Sequence, residues 1–196
     1  MTMTTSTQLF PVFLKLSDRR VLVVGAGPVA ASKIEPLLKA GADIRVVAPD
    51  VIPTITSMPV KILRRTFRAA DLEGTWLVVA AATPDVNQHV ASEAKTRQVF
   101  VNAVDDPANA SAYLGGVIRR AGVTFAISTE GRAPALTALL RKGLDAALPE
   151  EELEAWVTEA DRLRQIWKAN DVPMHDRQPQ LFKALKNRYG SCPDES

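Results

Sequence analysis

The chain has 196 residues, 46% apolar and 23% charged, and its 24 Lys and Arg against 22 Asp and Glu leave a net charge of +2. Those values exclude collagen, low-complexity disorder, a disulfide scaffold and a nucleic-acid-coating protein. The single cysteine, Cys192, rules out an internal disulfide and fits a reducing compartment. No apolar run nears the ~20 residues of a membrane-spanning helix. The leader Met1 to Thr7 has neither the basic start nor the apolar stretch of a signal peptide, so the expectation is a soluble, cytoplasmic protein.

In chain order, Val21 to Val24 is a short β-branched run, apolar on both faces, as suits the central strand of a parallel sheet covered on both sides. A helix follows over Val29 to Ala40, with Ile34, Leu37 and Leu38 on one side, Gly41 as its stop and Pro36 as a candidate kink. Ile44 to Ala48, Val60 to Arg64 and Trp76 to Ala82 read as strands. Pro84 to Arg97 reads as a helix opened by proline, and Val99 to Val104 as a further strand. Strands alternating with helices predict an α/β fold, a Rossmann-type doubly wound parallel sheet, over residues 1–113.

The pattern then changes. Val117 to Arg120 and Val123 to Ser128 read as short strands around Ala121-Gly122, and Ala133 to Leu148 as a helix carrying Leu136, Leu139, Leu140 and Leu144. Glu150 to Asn170 has helical spacing, and Pro173 and Pro179 are expected to break the chain before a last helix over Gln180 to Tyr189. This gives a small α+β region over 114–148 and a helical C-terminal region over 149–196. The α+β region is too small to make a good core alone, so it is expected to pack on a second copy in a homodimer.

Gly25-Ala26-Gly27-Pro28-Val29-Ala30 fits G-x-G-x-x-G/A between a strand and a helix. Gly25 permits the tight turn, Gly27 lets a pyrophosphate approach the backbone, and Ala30 lets helix and strand lie close. The pattern points to a dinucleotide, with a sterically required turn as the plain alternative. After the second strand the only acid is Asp50, which could reach a ribose hydroxyl or be a solvated loop residue. No arginine follows that strand end for a 2′-phosphate, so NAD is favoured over NADP.

Ligands of such sheets sit beyond the carboxyl ends of the strands. Asp105, in Asn102-Ala103-Val104-Asp105-Asp106-Pro107, lies there as a candidate general base or as a turn acid. Residues 114–144 carry Arg119, Arg120, Arg132, Arg141 and Lys142 against Glu130 alone, which suggests an anionic ligand unless this is simply solvated surface. Ser128 and Thr129 could bind a carboxylate or cap the next helix. His89 and His175 have no metal-ligand spacing, and Trp76, Trp156 and Trp167 read as packing residues. Neither a Tyr-x-x-x-Lys pair nor a G-x-S-x-G elbow is present.

Together these residues resemble the siroheme synthase N-terminal module family (precorrin-2 dehydrogenase/sirohydrochlorin ferrochelatase). The resemblance runs from Phe10-Pro11-Val12-Phe13-Leu14 through Val23 to Ala30 and Lys33, then Ala80 to Thr83 and Asn87. It continues through Val101 to Pro107, Ala126 to Pro134 and Leu139-Leu140-Arg141. It implies intertwined dimers, NAD as cofactor and oxidation of precorrin-2 to sirohydrochlorin, with Fe²⁺ insertion in some members. It implies catalysis by Asp105, and cofactor contacts at Gly25, Gly27, Pro28, Val29, Pro49, Asp50, Ala82 and Thr83. Tetrapyrrole contacts are expected at Asn102, Ser128, Arg119, Arg120, Arg132 and Arg141, and no resident metal site. No methyltransferase module follows, so precorrin-2 would come from another protein. The alternative is an NAD-sensing regulatory module without catalysis, which would need neither the arginines nor Asp105.

Overall fold

The computed structural model describes residues 8–189. Cys192 and the leader Met1 to Thr7, on which the compartment and signal-peptide expectations rest, lie outside the described residues.

Five parallel strands form the main sheet in the order β3-β2-β1-β4-β5. They are β1 (Arg20–Val24), β2 (Asp43–Val47), β3 (Lys61–Leu63), β4 (Thr75–Ala80) and β5 (Phe100–Ala103). β1 is central because both its faces are apolar. Val21 and Val23 pack with Ala30, Ile34 and Leu37 of helix α1 (Pro28–Lys39), while Leu22 and Val24 pack with Val90, Ala91 and Ala94 of helix α3 (Pro84–Thr96). A strand alternates its side chains, so one four-residue run feeds both cores.

α1 runs unbroken through Pro36. It ends where the Gly41 N–H donates to the Leu38 carbonyl (2.9 Å) and the Ala42 N–H to the Leu37 carbonyl (3.2 Å). Gly41 takes φ +77°, the left-handed conformation this paired closure requires. Two short elements have no strong signal in the sequence: helix α2 (Pro53–Thr56) and a 3-10 turn at Ala69–Leu72. Both are too short to show periodicity. Trp76 departs from the packing expectation. It is half-exposed on β4, with the Arg19 guanidinium 4.1 Å from the ring centre.

The chain divides into two compact units. The first runs up to Leu114 and takes in Glu130–Arg132, and the second holds Gly115–Thr129 and continues from Ala133. In the second, β6 (Gly116–Arg120) and β7 (Val123–Ile127) pair antiparallel. Ala121 (φ +46°) and Gly122 (φ +78°) make the turn between them, both left-handed as a two-residue hairpin favours. Helices α4 (Pro134–Ala147), α5 (Glu150–Ala169) and α6 (Met174–Arg188) follow.

α6 corrects the expectation of a break at Pro179. The helix begins at Met174 and contains Pro179. The proline falls in the second turn, where it forfeits a single hydrogen bond to the His175 carbonyl. Packing against α5 offsets that loss, as where the Trp167 indole N–H donates to Gln180 Oε1 (2.6 Å). Among the described residues no helix is long and apolar enough to cross a membrane.

Candidate cofactor cleft and active site

The strand order reverses between β1 and β4, and the loops leaving β1, β2, β4 and β5 share the carboxyl edge of the sheet, where such folds bind nucleotides. Backbone bonds lace these loops together. The Gly25 N–H donates to the Val47 carbonyl (3.0 Å), the Ala81 N–H to Val24 (2.8 Å), the Val104 N–H to Ala80 (3.0 Å) and the Ile52 N–H to Ala26 (3.2 Å).

The two glycines do different work. Gly25 has φ +102°, and a Cβ there would lie 2.2 Å from the Ala81 carbonyl oxygen, so only glycine fits. A Cβ at Gly27 would meet nothing within 4 Å: it would project into open space at the start of α1. Gly27 is the N-cap of α1 and supplies no side-chain bond, and the first turn holds no acidic residue. The positive end of the helix is therefore uncompensated and its cradle clear, which fits a pyrophosphate. Pro28, Val29, Pro49, Asp50, Ala82 and Thr83 are all exposed.

Beyond β5 the two adjacent acids separate in role. Asp106 caps the 3-10 turn Pro107–Asn109, accepting from the Asn109 N–H (3.3 Å) and from its Nδ2 (2.6 Å). Asp105 is exposed, stands at φ +57°, and has no hydrogen-bond or ion-pair partner among the described residues. The turn-acid role thus belongs to Asp106. Asn102 is buried. Its Nδ2 donates to the Ala112 carbonyl (3.0 Å), while its Oδ1 has no partner. Asn102 therefore ties the 110–112 segment to β5. Gly131 lies against Pro107 and Tyr113, and the Tyr113 hydroxyl donates to the Pro107 carbonyl (3.1 Å). The exposed Arg132, ion-paired with Glu130 (3.2 Å), thus belongs to the same unit as Asp105.

In the second unit the arginines do not make one patch. Arg119 and Arg120 are neighbours on β6 and so point to opposite faces. The Arg120 guanidinium donates to the carbonyls of Asp145 (3.0 Å) and Leu148 (3.1 Å) and pairs with the Asp145 carboxylate (3.0 Å). It is engaged at the C-terminal end of α4, where a cation is favoured, rather than held out for an anion. Arg119 and Arg141 are exposed, as is Ser128 just past β7. The N-cap of α4 is Ala133, which has no side-chain capping bond; Thr129 lies just before it, and its hydroxyl accepts from the Ala133 N–H (3.2 Å).

One polar pair escaped the sequence reading, and Asn87 entered it only within the family resemblance, with no role assigned. Arg65 holds Asp71 bidentately (2.8 and 2.5 Å), and the Arg68 N–H adds a third bond (2.9 Å). Burial opposes the charge of Asp71, but these bonds outweigh it and hold the carboxyl below its ordinary value. Asn87 is buried in the first turns of α3. The signal for it was a polar residue on the stripe 87, 90, 91, 94, the spacing of a helix's apolar face. Among the described residues no three His, Cys, Asp or Glu gather as a metal site.

The family model "Putative NAD(P)-binding" matches residues 12–116. Siroheme synthase 1 of Aeromonas hydrophila is 42% identical over 165 residues, covering 81% of this chain and 35% of that protein. Siroheme synthase of Salmonella arizonae is 37% identical over 172 residues, covering 85% of this chain and 37% of that one. The chain thus spans little more than a third of the length of these relatives. A solved precorrin-2 dehydrogenase, SirC, superposes with a TM-score of 0.69 at 24% identity, covering 92% of each chain, and so shares the fold. The chain belongs to this NAD(P)-binding family, in the form of the module that siroheme synthases carry.

Proposed function

We propose that the chain is a dehydrogenase that uses NAD to oxidise precorrin-2 to sirohydrochlorin, in the cytoplasm and as a homodimer. The observation that carries this reading is Asp105: an exposed, unpartnered carboxylate at the end of β5, on the sheet edge that holds the glycine loop. The matched siroheme synthases and the fold shared with a precorrin-2 dehydrogenase support the substrate.

Bound NAD would accept hydride from a ring carbon of the substrate. Balance then requires one proton to leave the substrate, and the Asp105 carboxylate is the base we assign to it. Gly27 and the first amides of α1 would hold the pyrophosphate, with Asp50 reaching toward the adenosine ribose and Ala82-Thr83 bordering the nicotinamide half. In the first unit Arg132, and within the second unit Arg119, Arg141 and Ser128, are the exposed groups whose chemistry suits carboxylates such as those a tetrapyrrole carries. Fe²⁺ enters this reading as a second substrate only, with Asp105 taking pyrrole N–H protons as the ion is inserted.

The homodimer is supported by α4, which buries none of its residues although Leu139 is 65% exposed and Leu136 and Leu140 are nearly half so. A helix that apolar, in a unit with so little core, is a surface for a second copy. Mixing the protein with NAD and precorrin-2 tests the function: NADH and sirohydrochlorin absorbance should rise together. NAD binding without turnover would instead favour the regulatory reading, and added Fe²⁺ with a sirohaem spectrum would establish insertion.

A further inference from the structure

We infer that Asn87 is a positioning residue for the nicotinamide half of the cofactor, acting through the Ala82-Thr83 turn and not by touching the dinucleotide. The inference rests on the cofactor cleft proposed above.

Asn87 is only 4% exposed, and its side-chain amide pairs with both backbone groups of one residue. Its Oδ1 accepts from the Ala82 N–H (2.9 Å), and its Nδ2 donates to the Ala82 carbonyl (3.4 Å). That reciprocal pairing copies what a neighbouring strand would supply. It is needed at this point of the sheet because the strand bonds have run out. β4 is held on one side by Ala81 donating to Val24 and on the other by Val104 donating to Ala80. One residue further, no strand reaches Ala82.

Ala82 and Thr83 are exposed, whereas the Ala81 carbonyl is pressed into the space that Gly25 leaves by lacking a Cβ. The turn is therefore anchored at its base by Gly25 and at its crest by Asn87. The two bonds to Asn87 are partly buried while Ala82 itself is exposed, so the pairing fixes the conformation of a turn that stands at the surface. A turn on the sheet edge that is held by a buried side chain is preorganised, and preorganisation matters where something binds.

The position of the turn decides which part of the ligand feels it. In this fold the adenosine ribose lies at the end of the second strand, here β2, and the nicotinamide half lies across the switch point over β4 and β5. Loosening Ala82-Thr83 should weaken the grip on nicotinamide and leave the adenosine half alone. A residue that only supported the domain would affect both halves alike.

The experiment is calorimetric titration of the full chain, unchanged and as Asn87→Ala, with NAD and separately with ADP, alongside thermal unfolding. The expected result is a loss of NAD affinity of roughly tenfold or more, the scale on which misplaced binding groups act, with ADP affinity within about twofold. Equal losses for both ligands, or unchanged NAD affinity, would overturn the inference. Should the alanine protein not fold, Asn87→Asp carries the same comparison, since it keeps the acceptor for the Ala82 N–H while facing the Ala82 carbonyl with a second acceptor. If the unchanged protein binds neither ligand, the cofactor cleft itself is wrong and the inference falls with it.

Discussion

The two units of this chain solve the problem of burial in opposite ways. In the first, β1 lies between β2 and β4 and buries Val21 to Val24 completely or nearly so, and two helices close the faces above and below it. In the second, the buried apolar residues among those described are Ile118, Leu153 and Trp167, and α4 contributes none. A parallel sheet with helices on both faces can finish its core within one chain. A two-stranded hairpin is marginal by itself, and here the helices that follow it add few buried apolar side chains. The glycine loop and Asp105 both stand on the self-sufficient unit, while the arginine-rich hairpin and the leucines of α4 belong to the one that leaves apolar surface open.

The sharpest way to break that contrast lies at the reacting end of the first unit. Asp105→Ala should lower turnover by about 10²- to 10⁴-fold, the usual contribution of a positioned base, while leaving NAD affinity unchanged. Full turnover by that protein would remove the chemical role. In the core beneath it, Leu22→Ala should cost about 2–5 kcal/mol in denaturant unfolding, since Leu22 is fully buried in the central strand. On α4 the response should differ in kind. Leu139→Glu should leave the unfolding of the first unit and NAD binding intact yet convert a dimer to monomer in light scattering. A variant still dimeric would show that α4 does not face a second copy.

Smaller effects sharpen the picture within the first unit. Gly27→Ala should fold and bind NAD more weakly, because its Cβ enters the open cradle, whereas Gly25→Ala should also lower stability because its Cβ meets the Ala81 carbonyl. The Arg65–Asp71 pair sets an acid limit. The folded carboxyl of Asp71 titrates below its ordinary value. The stability it contributes is therefore complete above the unfolded value of ~3.9 and is lost as pH falls through the lower folded value. Asp71→Asn should lower stability at neutral pH by about 1–3 kcal/mol and flatten its dependence on pH below about 4.

Much of this was legible in the residues themselves. The run Val21 to Val24 identified the central strand because only a strand covered on both faces tolerates four apolar residues in a row. Gly41 marked the end of α1 because its left-handed closure excludes most side chains. Legibility failed where three-dimensional direction decides. Arg119 and Arg120 counted together in the charge skew, yet strand alternation sends them to opposite faces, and Arg120 is engaged at the end of α4. Asp105 and Asp106 were equivalent as letters, and only the geometry of the 3-10 turn assigns capping to the second. Pro179 looked like a break because a proline beyond the first turn forfeits a backbone bond, and the spacing did not show that α6 begins at Met174 and packs on α5. Asn87 entered only through the family resemblance, and nothing in the sequence showed its partner at Ala82.

The central claim is tested most directly by a single-turnover reaction of the full chain with NAD and precorrin-2 under anaerobic conditions, run beside Asp105→Ala. The account predicts one NADH formed for each sirohydrochlorin in the unchanged protein, and bound NAD with almost no product in the variant. Equal yields of NADH and sirohydrochlorin from both proteins, or neither product from the unchanged protein with NAD bound, would contradict it.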